Sequence, residues 1–191
     1  MSYVKGPVKS NQGISLVILL RPFIQSDFAR LIQWIDSHEA LVQWSGPTQF
    51  TFPLTDEQLI RYQAESTGVL PSRLVYAATD VRGDVVGHIE LGAIDYVNRT
   101  ATLCRVLIAP EARGKRCCVG LVRQILRVGF EELKLRRIDL KVFAFNHPAI
   151  RCYERAGFVR EGVLRKSRMI GEKYWDTVLM GILREEWRPL T

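Results

Sequence analysis

The hydrophobic pattern of this chain changes sharply after its central strands, and the change constrains its architecture. Across 73–110, "RLVYAATD" (73–80), "DVVGHIELGAID" (84–95) and "NRTATLCRVLIAP" (98–110) read as three strands of an antiparallel meander. Arg82-Gly83 marks a hairpin between the first two, and Pro110 stops the third. From Cys118 onward the apolar positions become Leu121, Val122, Ile125, Leu126, Phe130 and Leu133, one face of a helix. Arg123, Gln124, Arg127, Glu131 and Glu132 take the other face. A meander feeding directly into an amphipathic helix needs a sheet with a helix packed on it. That excludes a helical bundle and an all-β sandwich.

The flanks extend this pattern. "SLVILLRP" (15–22) reads as a buried strand and "SDFARLIQWID" (26–36) as a helix opened by Ser26 and Asp27. "WSGPTQFTFP" (44–53) is a loop, and "TDEQLIRYQAE" (55–65) is a helix capped by Thr55. Beyond 133 come a strand, "RRIDLKVFAF" (136–145), and a short helix at 148–156 with Pro148 in its first turn and Gly157 past its end. Two closing strands flank "GEK" (171–173). The order β-α-α-β-β-β-α-β-α-β-β describes one mixed α/β (α+β) domain over 14–191, preceded by a loose polar arm at 1–13.

Charge and cysteines narrow the function classes. The net charge is +7, which favours anionic partners without choosing among them. The basic residues are dispersed and no nucleic-acid-binding motif accompanies them, so no direct nucleic-acid contact is expected. "ISLVILL" (14–20) is too short to span a bilayer and lacks the flanks of a signal peptide, so a cytoplasmic protein with no membrane partner is expected. The four cysteines, Cys104, Cys117, Cys118 and Cys152, form no metal-ligand spacing; they read as reduced thiols, and no metal is expected.

Two stretches carry the chemistry. In "EARGKRCCVG" (111–120), Arg113, Lys115 and Arg116 surround Gly114 where a strand passes through a loop into the long helix. Unpaired N–H groups and the dipole at such a helix start make an anion site, to which the basic side chains add full charge. A basic surface turn is the other reading. No P-loop or dinucleotide fingerprint is present. The second stretch is "NHPAIRCYERAGF" (146–158). Asn146 precedes a helix, and Tyr153 lies two turns later on roughly the same face. The pair suits holding an amide-rich ligand and donating a proton, and equally suits a plain cap and a core aromatic.

Together these stretches, with "EGVLRKSRMIGEKYWDTVLMGILREEW", resemble the GNAT superfamily of acetyl-CoA-dependent N-acetyltransferases, and within it the RimJ/RimL-type branch and the nearby spermidine N-acetyltransferases. The resemblance implies a mostly antiparallel sheet with splayed middle strands and about four flanking helices. It implies that Val106, Leu107 and Ile108 hold the pantetheine arm and acetyl group of acetyl-CoA. The loop of Arg113, Gly114, Lys115, Arg116, Cys117, Cys118, Val119 and Gly120 would wrap the pyrophosphate. Asn146 would contact the cofactor arm and Tyr153 would act as general acid. Arg116 and Cys118 depart from the small residues usual in that loop. A base is sought in "VVGHIELG", where His88 and Glu90 share a strand face; Glu90 is the candidate, with Asp95, Glu111 and Asp176 as other carboxylates. Trp34, Trp44, Phe50, Tyr174 and Trp175 are candidates for an acceptor wall. The acceptor itself would be a protein N-terminus or a small amine. Polyamine or aminoglycoside acetylation, and a non-catalytic acyl-CoA-binding module, are the alternatives, and the closing strands suit a homodimer.

Overall fold

The computed structural model describes residues 17–115 and 117–189, so the expected arm at 1–13 and Arg116 lie outside the described residues. Among the described residues there are seven strands: β1 (Leu19–Pro22), β2 (Leu74–Thr79), β3 (Val85–Asp95), β4 (Thr100–Ile108), β5 (Arg137–Phe143), β6 (Val159–Ile170) and β7 (Lys173–Leu183). They form one sheet in the order β1-β2-β3-β4-β5-β7-β6. Only the β4–β5 pair is parallel, and its register holds from Thr100↔Arg137 to Leu103↔Leu140. The helices are α1 (Phe28–Trp34), α2 (His38–Ser45), α3 (Asp56–Ala64), α4 (Cys117–Arg127) and α5 (His147–Ala156). None of the described helices is long and apolar enough to cross a membrane.

This is the mixed, mostly antiparallel sheet that the family resemblance implies, with one helix more among the described residues. The helix α2 falls between two expected elements and takes in Trp44 and Ser45, which the sequence reads as loop. Its signals are short but physical: Ser37 accepts the N–H of Ala40 at 3.2 Å as a cap, and Leu41, Val42 and Trp44 are buried. Thr55 caps α3 as expected, accepting the N–H of Gln58.

Helices cover both faces of the sheet. On one, Leu121, Ile125, Leu126 and Phe130 pack against Ile89, Leu91, Ile138 and Met180. On the other, Phe28, Leu31, Leu41 and Leu59 cover Val75 and Ala77. Helix α4 approaches the sheet closely because Gly87 in β3 has no side chain. A Cβ there would lie 2.7 Å from the Leu107 carbonyl oxygen and 3.3 Å from Leu121. The start of α4 is thereby held over the β3–β4 pair.

The cysteines correct an expectation. Cys118 and Cys152 are not reduced thiols; they form a disulfide with their Cα atoms 6.2 Å apart. Adjacent residues on a helix point about 100° apart. Cys117 therefore turns inward, its thiol donating to the Ala112 carbonyl at 3.4 Å, while Cys118 turns towards α5. Cys104 and Cys117 are free.

Candidate active site

Beyond Leu103 and Leu140 the two central strands part. β5 continues along β7 as far as Phe143↔Thr177, while β4 stays on β3 as far as Ile108↔Gly87. The edge of β4 that faces β5 is unpaired from Cys104 onward. A cleft of about 240 Å³ opens in the wedge, lined by Trp44, Arg105, Val106, Phe143, Asn146 and Tyr153 among others.

The parting is fixed by a bulge. Glu90 pairs with Cys104 but His88 pairs with Leu107, so Arg105 and Val106 together oppose Ile89. Arg105 has a φ of 50°, the left-handed region that a side chain enters only under constraint. The constraint is visible at its carbonyl oxygen, which accepts the Trp44 indole N–H at 3.0 Å and bonds His88 Nδ1 at 2.9 Å. A carbonyl only accepts, so Nδ1 carries the proton and Nε2 is bare. Burial drives the His88 pKa down from 6.5 to about 4, opposed by that hydrogen bond, so the imidazole is neutral at pH 7.

Behind the bulge lies a closed polar cluster. The Glu90 carboxylate is 1% exposed. It accepts the Tyr62 hydroxyl at 2.6 Å and a short charge-assisted bond from Arg105, and Arg73 stands 3.7 Å away. Burial, reinforced by the Glu90 charge, raises the Tyr62 phenol well above its ordinary range. Glu90 and His88 do share one face, as their spacing implies, but that face is packed against α3. Glu90 reaches the cleft only through Arg105, whose other terminal nitrogen donates to Gln49 at 3.0 Å. The other carboxylates are engaged or distant: Asp95 caps the turn at Val97 and Asn98, Glu111 is exposed, and Asp176 accepts the N–H of Lys166.

On the opposite wall, Asn146 caps α5 by accepting the N–H of Ala149 at 3.3 Å, and also lines the cleft. Tyr153 lies two turns on, 8% exposed, on the same wall. Among the described residues its hydroxyl has no hydrogen-bond partner in the protein. Burial raises its pKa, so it is protonated at any physiological pH. Cys104 lies in the same cleft. Burial pushes its thiol up to about 11, too high for a thiolate nucleophile at neutral pH.

The strand's far end leads to the basic loop. Pro110–Ala112 form one 3-10 turn, and Arg113, Gly114 and Lys115 are exposed ahead of α4. Gly114 has a φ of 77° with no atom within 4 Å of where a Cβ would stand, so backbone conformation alone calls for glycine. Cys117, Cys118, Val119 and Gly120 form the first turn of α4, whose N–H groups have no partner within the helix. Among these, the Cys118 side chain is committed to Cys152 and only its backbone is available. Val106 and Ile108 pack on the α4 side of the sheet and Leu107 on the other. Of the candidate wall aromatics, Trp44 lines the cleft and Phe50 stacks on it at 5.1 Å. Trp175 packs edge-on against Phe143 at 4.8 Å, Trp34 packs against the core and Tyr174 is exposed.

Sequence reasoning missed Arg105, Tyr62, Lys141 and Arg168. Arg105 had a weak signal, as a charge inside the apolar run "TLCRVLIA". The others become part of the site only through the bulge and the parting.

The spermidine N(1)-acetyltransferase of Vibrio cholerae serotype O1 is 34% identical over 112 residues, 59% of this chain and 64% of that one. The L-amino acid N-acetyltransferase AaaT of Escherichia coli (strain K12) is 31% identical over 102 residues, 52% of this chain and 62% of that one. The chain thus spans just under two thirds of the length of these curated relatives. The crystal structure of spermidine N-acetyltransferase from Vibrio cholerae in complex with CoA and spermine matches with a TM-score of 0.77 at 26% identity, covering 89% of this chain and 97% of that one. Residues 38–158, which run from α2 through the parted strands to the end of α5, match the Acetyltransferase (GNAT) family, and the chain belongs to that family.

Proposed function

We propose that the protein is an N-acetyltransferase that moves an acetyl group from acetyl-CoA to a primary amine by direct attack. The observation that carries this is the parting of β4 from β5 beyond Leu103, next to a basic loop and a helix start. An unpaired strand edge is a template for an extended amide chain, which supports Val106, Leu107 and Ile108 as the seat of the pantetheine arm. The unpaired N–H groups of Cys117–Gly120, flanked by Arg113 and Lys115, suit a pyrophosphate; Arg116 belongs to the same loop by sequence. Asn146 spends its carbonyl oxygen on the cap and keeps its amide N–H₂ for a ligand carbonyl.

The new C–N bond forms as the C–S bond breaks. The amine loses one proton and the departing thiolate gains one. Tyr153 is the donor we assign to that sulfur, because its hydroxyl is protonated, unpartnered within the protein and on the cleft wall. Tyr153→Phe is expected to lower kcat tenfold or more, on the order of what a general acid contributes, with acetyl-CoA affinity unchanged. Equal kcat would remove the role. Glu90 is assigned a positioning role, holding Arg105 and hence the bulge. Glu90→Gln is expected to raise KM and leave the shape of the pH–rate profile intact, whereas loss of its acidic limb would make Glu90 the base.

The relatives include spermidine, amino-acid and aminoglycoside N-acetyltransferases and one named as a putative ribosomal N-acetyltransferase, and the spermidine enzymes support a polyamine more than the protein N-terminus of the RimJ/RimL-type reading. A homodimer is part of the proposal, supported by Val163, Met169 and Tyr174 standing exposed on the β6–β7 hairpin. A monomeric mass in analytical ultracentrifugation at working concentration would reject it.

A further inference from the structure

The cleft is charged with one sign. Its ionisable side chains other than thiol and phenol are Arg105, Lys141 and Arg168, and no carboxylate lines it among the described residues. Lys141 lies on β5 but turns away from the α4–α5 layer, since its neighbours Leu140 and Val142 are the ones buried there. Arg168 arrives from the hairpin through a second bulge. Leu164 pairs with Thr177 but Arg168 pairs with Trp175, so the three residues between them oppose Asp176 alone. Lys166 within that bulge has a φ of 50°, and its N–H is held by Asp176 at 2.7 Å.

Two of these three cations are not neutralised in place. Lys141 and Arg168 are exposed and take part in no ion pair among the described residues; the Arg168 head donates to the Ser167 carbonyl at 2.7 Å. Arg105 answers the Glu90 charge through one nitrogen, yet its Nε is buried without a hydrogen-bond partner in a side chain only 10% exposed. A buried guanidinium N–H without an acceptor is left unsatisfied, and Arg105 lines the cleft. A polyamine arriving in this wedge would meet cations on β4, β5 and β6 and find no carboxylate.

We infer that the cleft selects an amine borne by an anionic molecule, one whose carboxylates lie against Arg105, Lys141 and Arg168, and rejects polycations. This deepens the proposed acetyl transfer and rests on it for the identity of the reacting amine. The shared chemistry is a primary amine with nearby carboxylate; a free acidic amino acid and a peptide that starts with acidic residues are its two sources.

The test measures thiol release from acetyl-CoA with aspartate, a peptide beginning Asp-Glu, its Asn-Gln counterpart and spermidine. The chain is used as it is and as the Lys141→Glu, Arg168→Glu double variant, with thermal melts reporting that both are folded. The unaltered protein is expected to use the acidic peptide or aspartate, whichever is the true source, at least about tenfold better than the neutral peptide. That advantage should shrink as salt rises. The double variant is expected to lose it and to gain activity on spermidine. Spermidine as the best substrate of the unaltered protein, or an unchanged preference in the double variant, would overturn the inference. Calorimetric titration of the acidic peptide and of spermidine into the CoA-saturated protein reads the same preference independently of turnover. If no amine is acetylated but the acidic peptide still binds in preference to spermidine, the charge selection stands and the acetyl-transfer reading fails.

Discussion

Replacing His88 by Gln isolates one titration that the bulge imposes on the whole fold. The buried imidazole has its pKa lowered from 6.5 to about 4, with burial as the main cause and the Arg105 charge adding to it. The Arg105 carbonyl and Asp27 act the other way. A proton binds the unfolded chain near pH 6.5 but the folded protein only near 4, so stability is complete above about pH 7 and falls as pH drops through that window. Each pH unit across that window costs about 1.4 kcal/mol, so the full loss is about 3 kcal/mol, of which about 2 kcal/mol is spent by pH 5. Because His88 is 1% exposed, solvent screening offers little discount. The carboxylates whose pKa values are lowered, Asp27, Asp80 and Glu161 among them, cost stability as pH falls through their unfolded values of 3.8 to 4.5, a loss that both proteins share. Urea unfolding at pH 7.5 and pH 5 in the unaltered protein and in His88→Gln therefore reads this one group. The Gln amide keeps a donor for the Arg105 carbonyl and carries no titration. The variant is expected to be the less stable at pH 7.5 and to lose about 2 kcal/mol less on acidification. Parallel losses in the two proteins would refute the placement of a neutral His88 beneath the bulge.

The disulfide sets a second expectation. Cys118 and Cys152 are 34 residues apart, so opening the bond restores about 4 kcal/mol of chain entropy to the unfolded state. The Cys118→Ser, Cys152→Ser variant should melt several degrees lower, and alkylation of the native protein should label neither thiol. Labelling of both would contradict the bond. Gly114→Ala should cost about 1–2 kcal/mol from its left-handed backbone alone and weaken acetyl-CoA binding through the displaced loop. An unchanged dissociation constant would separate the loop from the ligand.

The long helix was legible because helical spacing follows directly from which face is buried, and the central strands because Arg82-Gly83 and Pro110 bound their apolar runs. Leu121, Val122, Ile125 and Leu126, picked out by period, are all fully buried. Asn146 and Tyr153 were legible because seven residues on one helix fix a shared side. The β4 bulge was not, because nothing local in "TLCRVLIA" encodes a slipped register. It exists because Trp44 and His88, far along the chain, meet at the Arg105 carbonyl. For the same reason Glu90, correctly placed on the face of His88, reads in the sequence as a group open to the cleft. Strand alternation says which side a residue faces but not that α3 closes it off with Tyr62. The disulfide was hidden in a similar way. The cysteines read in sequence as reduced thiols, but helix geometry sends Cys117 to the core and Cys118 to α5, where Cys152 meets it.

The most direct test of the account is a thiol-release assay with acetyl-CoA and a panel of amines. Acetylation of at least one primary amine is predicted, with a new amide on the amine and free CoA formed in equal amounts. Tight acetyl-CoA binding with no acetylation of any amine would leave a ligand-binding member of the family and contradict the proposed reaction.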